Sequence, residues 1–449
     1  MTIAVPATPP QEQPLRRPWL RAGLWLAGLG VLFYTSYPLA NYLADRRAFV
    51  PSIVFGWEQG MPFLPWTIIP YWSINFFYAA SLFFCATKAE VDTLGKRLLT
   101  AQLIAVTCFI LVPLRFSFAK PEIGGGLPGF MFDALLSFDK PYNQAPSLHI
   151  ALLVILWTHY ARLVPAWSRW LLHVWSVLIG VSVLTTYQHH FLDIPTGALL
   201  GLFCLWLWPD RSDGVGVTPA QRSKRLKLAG FYALGSVLLF ILAIALGGWG
   251  LWLCYPAASL ALVAANYLWR GAAGFHKRPD GSMPVADRLL FAPYQLGAFL
   301  NSRWWTRRAP EPAEVQPGLF LGRIPSRFDR TVTAFDAIVD LCAELPARQG
   351  RGTVHAFPLL DLVAPGPEVI GEAAKSIEAT RESGTVLVCC ALGYSRSAAV
   401  VATWLLQSGR AKTVDEAIGI VRAARPRIVL RPDALAAIAA AGKAGQVDG

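Results

Sequence analysis

The sequence predicts a multi-domain chain: an all-α, polytopic membrane helix bundle of about eight spans, then an α/β domain whose central sheet is flanked by helices. Three observations lead there. The 449 residues are 54% hydrophobic and only 15% charged, which is not a soluble composition. The imbalance is confined to about residues 19–270, a series of long apolar runs, and after Arg270 the composition becomes ordinary. Finally, Val386–Ser397, VLVCCALGYSRS, reads as a buried strand, a tight loop and the start of a helix.

Taken in order, residues 1–18 are proline-rich and read as a disordered, solvated tail. No small-residue cleavage site follows the first apolar run, so that run is expected to be a retained span. The spans are expected near 19–43, 63–85, 98–115, 147–164, 170–188, 190–208, 227–247 and 250–269. Basic residues crowd every second loop: Arg16 and Arg17 before the first span, Lys96 and Arg97 before the third, Arg162 and Arg169 after the fourth. Arg222, Lys224, Arg225 and Lys227 follow the sixth, and Arg270, Lys277 and Arg278 the eighth. This places the N-terminus and the C-terminal domain on the inner side, and the net charge of +12 is read mainly as a topology signal. No aromatic-interleaved basic stripe accompanies it, so no nucleic-acid partner is expected.

Residues 271–314 form a basic, aromatic linker, with Phe275-His-Lys-Arg and Arg303-Trp-Trp-Thr-Arg-Arg suiting either a strap on an anionic leaflet or a plain connector. The α/β domain is expected over 315–440, and 441–449 is a tail. The seven cysteines form no disulfide framework, and no CxxC or His/Cys spacing occurs, so neither metal nor cofactor is implied.

A strand–loop–helix of the Cys390 kind points successive backbone N–H groups, here of Ala391, Leu392, Gly393, Tyr394 and Ser395, and a helix N-terminus into one concavity. Phosphate fits such a cup. Arg396 can grip two of its oxygens, Cys390 loses its proton to that field and becomes a nucleophile, and Ser397 can steady the thiolate. Cys390-Ala-Leu-Gly-Tyr-Ser-Arg396-Ser397 resembles the signature loop of the dual-specificity and protein-tyrosine phosphatases. In that likeness PGLFLGRIP is similar to the first strand, AIVDLCAE to the second, FPLLD to the acid-bearing segment and RAARPRIVLRP to the turn into the last helix. The resemblance implies an α/β cysteine-phosphatase domain with Cys390 as nucleophile, Arg396 as phosphate clamp and Asp361 as general acid. Where that family carries His before the nucleophile, this chain has Cys389, and the vicinal Cys389–Cys390 pair raises redox control as an expectation.

Three polar clusters interrupt the apolar runs on loops that the charge rule assigns to the outer side: Arg115 to Lys120-Pro121, Gln144 to His149, and Tyr187 to Asp193. His189 and Asp193 are four apart, so the carboxylate can hold one ring nitrogen and leave the other free to attack phosphorus. His149 can protonate a departing alcohol, Ser147 and the helix start beside Pro146 offer donors, and Arg115 and Lys120 supply positive charge. On a helix, His190 would point some 100° away from His189. These residues resemble the Pro-Ser-x-His and His-x3-Asp motifs of the type 2 phosphatidic acid phosphatase superfamily, over roughly residues 60–208. The Arg expected six residues before the nucleophile is Val183, and the paired His189-His190 looks more like the inositolphosphoceramide synthase branch. The resemblance implies His189 as nucleophile, Asp193 as its orienting partner, His149 as general acid and Ser147 as a phosphate contact.

The whole arrangement resembles a bacterial fusion of these two kinds of domain. That implies an inner-membrane phosphatase with two phosphoryl-transfer sites, whose partners are the membrane and a phosphorylated lipid or lipid head group, with a phosphoprotein as the alternative. Two other classes remain open at this point: a phosphate-binding tail without turnover, and a membrane part that is a head-group transferase, scaffold or transporter.

Overall fold

The computed structural model describes residues 17–137, 139–210, 222–326, 329, 335–347, 352–382 and 384–447. The chain divides into two compact units, Met1–Asp210 and Arg211–Gly449. The proline-rich tail expected over residues 1–18 lies almost wholly outside the described residues.

The first unit is helical: α1 (Trp19–Asp45), α2 (Ile68–Ser81), α3 (Lys88–Leu111), α4 (Leu127–Leu136), α5 (Leu148–Leu163), α6 (Arg169–Thr185) and α7 (Asp193–Leu207). Helix starts are fixed by caps. Thr87 accepts the Glu90 N–H while Glu90 reaches back to the Ala86 N–H, and Ser147 accepts the Ile150 N–H at the head of α5. Helix α5 is central. Its Leu148, Ala151 and Ile155 pack with α1, α3 and α7, and its Ile150, Leu153 and Leu156 with α2, α4 and α6. Two glycines let α7 close on it: a Cβ on Gly197 would lie 2.5 Å from the Ser147 carbonyl oxygen, and one on Gly201 would lie 2.7 Å from Val154 Cβ.

The second unit begins with a helical hairpin, α8 (Arg222–Leu246) and α9 (Cys254–Ala265), the latter ending in a π-turn at Asn266–Arg270. Next come α10 (Val285–Leu290) and α11 (Ala292–Trp305), then a sheet of β1 (Ala313–Gln316), β2 (Leu319–Arg323), β3 (Ala337–Cys342), β4 (Thr353–Leu359) and β5 (Val386–Cys390). The helices α12 (Pro367–Arg381), α13 (Arg396–Gln407), α14 (Val414–Ala424) and α15 (Pro432–Val447) complete it. Strand order is β1-β2-β5-β3-β4, parallel except for the β1–β2 pair. The all-apolar β5 is central and buried throughout, as parallel strands covered on both faces must be. Helices α12, α13, α14 and α15 cover one face, and Ala298 and Phe299 of α11 pack on the other. Residues read as a linker thus supply a layer of the α/β fold.

Five segments among the described residues are long and apolar enough to cross a membrane: Trp19–Asp45, Lys88–Leu111, Ala166–Thr185, Arg222–Leu246 and Gly248–Phe275. The expectation of about eight spans fares less well, because α2, α5 and α7 are only 14, 16 and 15 residues long. Helix α5 starts directly after its cap Ser147 and α7 starts at Asp193, and both residues belong to the cluster described below. The apolar run expected as one span over 63–85 is α2 flanked by 3-10 turns at Pro65–Thr67 and Leu82–Phe84. Helix α4 follows the glycine triplet 124–126 and lies between the expected third and fourth spans.

Candidate functional sites

In the second unit, β5 delivers Cys390 to the loop and α13 begins at Arg396. Gly393 has φ +76°, and a Cβ there would lie 2.4 Å from the Gly322 backbone, so the loop can curl against β2 only with glycine at this position. The curl aims the Gly393 N–H at Cys390 Sγ, 3.3 Å away, and the Ser397 hydroxyl donates to the same sulfur at 3.3 Å. Burial alone would raise the thiol pKa; the Arg396 charge and these donors outweigh it and hold the thiol below its ordinary range.

Arg396 is itself held. Its Nη1 and Nη2 donate to the two Glu344 carboxylate oxygens at 2.8 and 2.6 Å, and Nη1 also donates to the Leu359 carbonyl at 2.7 Å. Asp361 Oδ1 lies 3.1 Å from Nη2. Burial works against the Glu344 carboxylate, yet pairing with Arg396 keeps its pKa low. At Asp361 burial wins over the same arginine and the carboxyl is pushed up, as suits a group that must carry a proton.

Four supports were not read from the sequence. Besides Glu344, Ser302 of α11 donates to the Ala391 carbonyl. Arg425 donates to the Leu392 carbonyl and lies over the Tyr394 ring, and Lys277 Nζ donates to Asp340, to the Cys342 carbonyl and, at 2.7 Å, to the Leu345 carbonyl. Only Glu344 and Arg425 had a visible signal, since both fall within segments that match the family pattern. The expectation of a Cys389–Cys390 redox pair finds no support. Side chains alternate along a strand, so Cys390 joins the α12–α13 face and Cys389 the α11 face.

In the first unit the tight α5–α7 contact brings two helix starts together, and the Ser147 N–H donates to the Asp193 carbonyl at 3.3 Å. His189 Nδ1 lies 3.1 Å from Asp193 Oδ2 and its Nε2 lies 3.2 Å from Ser147 Oγ. The His189–Asp193 contact is made, though not within a helix: His189 is in the preceding loop and α7 begins at Asp193. Asp193 also accepts the His190 N–H at 3.1 Å. His149 stacks on Tyr71 with ring centroids 4.2 Å apart, and its buried Nε2 has no hydrogen-bond partner among the described residues.

Lys120 and His189 both lie within electrostatic reach of the half-buried Asp139, which accepts the Tyr37 hydroxyl. Arg115 is exposed, its charge acts on Tyr142, and among the described residues it makes no hydrogen bond with His189. His190 departs from expectation. It is buried, paired through Nδ1 with Glu58 at 3.1 Å, bonded through Nε2 to Ser117 and stacked on Phe116. Glu58, which sequence reading missed, also accepts the Phe191 and Phe55 N–H groups and so ties two loops together. Among the described residues no group of three or more His, Cys, Asp or Glu is arranged to hold a metal ion.

The α/β part of the second unit is thus a cysteine-based, phosphate-accepting loop on a mainly parallel sheet, with an arginine and a carboxylic acid at its mouth. Residues 335–443 match the family described as dual specificity phosphatase, catalytic domain. The C-terminal part of the chain is a phosphatase domain of that type.

Solved structures similar to it include Tk-PTP in the active form (27% identity, covering 30% of this chain and 98% of that one, TM-score 0.28). Human DUSP28 shows 23% identity, covering 30% of this chain and 99% of that one, with TM-score 0.28. PTPMT1 in complex with PI(5)P shows 16% identity, covering 30% and 97%, also with TM-score 0.28. No curated protein matches the chain.

Proposed function

We propose that this chain is an integral membrane phosphatase with two phosphoryl-transfer sites: an inner, Cys390-dependent phosphomonoesterase and an outer, His189-dependent lipid phosphatase or phosphotransferase. The observation that carries the inner site is the convergence of the Gly393 N–H, the Ser397 hydroxyl and the Arg396 charge on one sulfur. The Cys390 thiolate attacks phosphorus, an S–P bond forms and the ester P–O bond breaks, while Asp361 gives its proton to the leaving oxygen. Water then attacks the phosphocysteine. Asp361 takes its proton, inorganic phosphate leaves, and the thiolate returns. Ala391 to Ser395 line the cup with backbone N–H groups.

For the outer site the supporting geometry is His189 bridged between Asp193 and Ser147. Asp193 holds Nδ1 protonated, so Nε2 keeps the lone pair that attacks phosphorus; His149 protonates the departing alcohol, and water or a lipid hydroxyl then accepts the phosphoryl group. Lys120 offers charge there, and Arg115 would contribute only through a loop movement. The basic loops support cytoplasmic placement of the N-terminus and the Cys390 domain, in a bacterial inner membrane.

Hydrolysis of para-nitrophenyl phosphate and of a phosphatidate by purified full-length protein tests both halves. Cys390→Ser and His189→Ala should each remove a distinct part of the turnover, and the double variant should remove it all. Turnover unchanged in Cys390→Ser beside a dead His189→Ala would make the C-terminal domain a binding module.

A further inference from the structure

A cavity of about 320 Å³ opens beside the catalytic loop, of a size that suits part of a small ligand. One end is the machinery already described: Glu344, Asp361, Ala391 and Leu392. The rest of the lining is mainly apolar and comes from the helical hairpin, through Tyr232 of α8 and Pro256 and Leu260 of α9, and from α11, through Tyr294 and Ala298, with Asn301 as its polar member.

The hairpin is built into the site. The Tyr267 hydroxyl donates to the Asp361 carbonyl at 3.0 Å, and Tyr232 packs on Tyr267 and Tyr294 with ring centroids 5.3 and 5.7 Å apart. Elsewhere the hairpin is apolar and outward-facing, with Leu234, Leu238 and Ile241 more than half exposed, as helices in lipid are. Its basic ends set the head-group level: Arg222, Lys224 and Lys227 open α8, and Arg270 closes the π-turn. At 1.5 Å per residue, Tyr232 lies ~8 Å beyond Lys227 and Leu260 ~15 Å before Arg270. A phosphate held at Arg396 would therefore have its other end at hydrocarbon depth.

We propose that the Cys390 site takes a lipid phosphomonoester, with the phosphate in the catalytic loop and the start of an acyl chain between Tyr232, Leu260 and Tyr294. This deepens the reading of Cys390 as nucleophile and rests on it. A phosphoprotein loop would meet an apolar wall where it needs polar partners, and a water-soluble head-group phosphate would leave that wall unused.

The test uses full-length protein carrying His189→Ala, so that phosphate release reports the Cys390 site. Dioleoyl phosphatidate in mixed micelles is compared with glycerol 3-phosphate, a phosphotyrosyl peptide and para-nitrophenyl phosphate. The expected result is a kcat/KM for phosphatidate at least ~100-fold above that for glycerol 3-phosphate. Adding Leu260→Trp, which fills the apolar end, should lower the ratio of phosphatidate to para-nitrophenyl phosphate kcat/KM by ~10-fold or more. Equal use of phosphatidate and glycerol 3-phosphate, preference for the peptide, or a ratio unmoved by Leu260→Trp would overturn the proposal. Para-nitrophenyl phosphate turnover that does not depend on Cys390 would instead overturn the nucleophile reading.

A second measurement needs no turnover. In Cys390→Ser protein, phosphatidate with a photoreactive acyl chain should label the α9 and α11 peptides, and Leu260→Trp should reduce that labelling. Labelling absent there, or indifferent to Leu260→Trp, would overturn the proposal whatever the activity.

Discussion

Glu344 grips Arg396 through both carboxylate oxygens, at 2.8 and 2.6 Å, from a position 52 residues earlier in the chain. The pair is almost wholly buried, so removing either charge strands the other in a medium that solvates it poorly. Glu344→Gln should lower kcat/KM for para-nitrophenyl phosphate by ~10- to 100-fold, the worth of one or two charge-assisted hydrogen bonds, and should destabilise the second unit by ~3–5 kcal/mol. Kinetics and a thermal melt check this; a variant with unaltered values in both would show the ion pair to be idle.

Asp361 shares the Arg396 charge with any incoming substrate. Arg396 Nη1 donates to Glu344 and the Leu359 carbonyl and Nη2 to Glu344, while Asp361 Oδ1 makes an ion pair with Nη2 at 3.1 Å. An incoming phosphate would therefore compete with the Asp361 carboxylate for that charge. Asp361→Asn should tighten inhibition by vanadate roughly 3- to 10-fold while turnover falls ~10²- to 10⁴-fold. Weaker vanadate inhibition would argue against this competition.

The pH profile follows from two opposite shifts. The proposed mechanism needs Cys390 ionised, and its pKa lies below the usual ~8.5, so the acid limb moves down. It also needs Asp361 protonated. Burial raises that pKa above the usual ~3.9, so the basic limb moves up and the two limbs approach each other. Asp361→Asn should erase the basic limb. Ser397→Ala, which removes a donor to the thiolate, should shift iodoacetamide alkylation of Cys390 to higher pH; an unshifted alkylation curve would remove Ser397 from this role.

Gly197 sets the spacing of the His189 cluster. A side chain there meets the Ser147 carbonyl oxygen and Ile150 Cβ, at 2.5 and 2.9 Å for a Cβ alone. Gly197→Val should push α5 from α7, part Ser147 from His189 and cut His189-dependent phosphatidate hydrolysis by ~100-fold, the usual cost of about 1 Å of misplacement. Cys390-dependent hydrolysis of para-nitrophenyl phosphate serves as the internal control for folding of the second unit.

The sequence reading was strongest where structure is local. The strand expected over Thr385–Cys389 is found at Val386–Cys390 and the helix expected after Arg396 begins at Arg396 itself, because burial on both faces makes a central parallel strand uniformly apolar. His189 and Asp193 meet as expected, although by a loop folding back on a helix start. What stayed hidden was long-range. Nothing in Lys277 or Glu58 announces a partner 63 or 132 residues away, and short helices such as α2 are blurred by apolar turns at either end.

Lys277 has a practical consequence for anyone wishing to cut this protein apart. Its ammonium group, with no solvent exposure, neutralises Asp340 beneath the sheet, and the Pro279 and Gly281 carbonyls accept N–H groups of Ala356 and Ala347. A fragment started at residue 315, where the sequence alone would place the start of the α/β domain, discards that counter-ion and exposes the sheet face that α11 covers. Such a fragment should aggregate on expression, and the shortest well-behaved piece should begin ahead of Lys277.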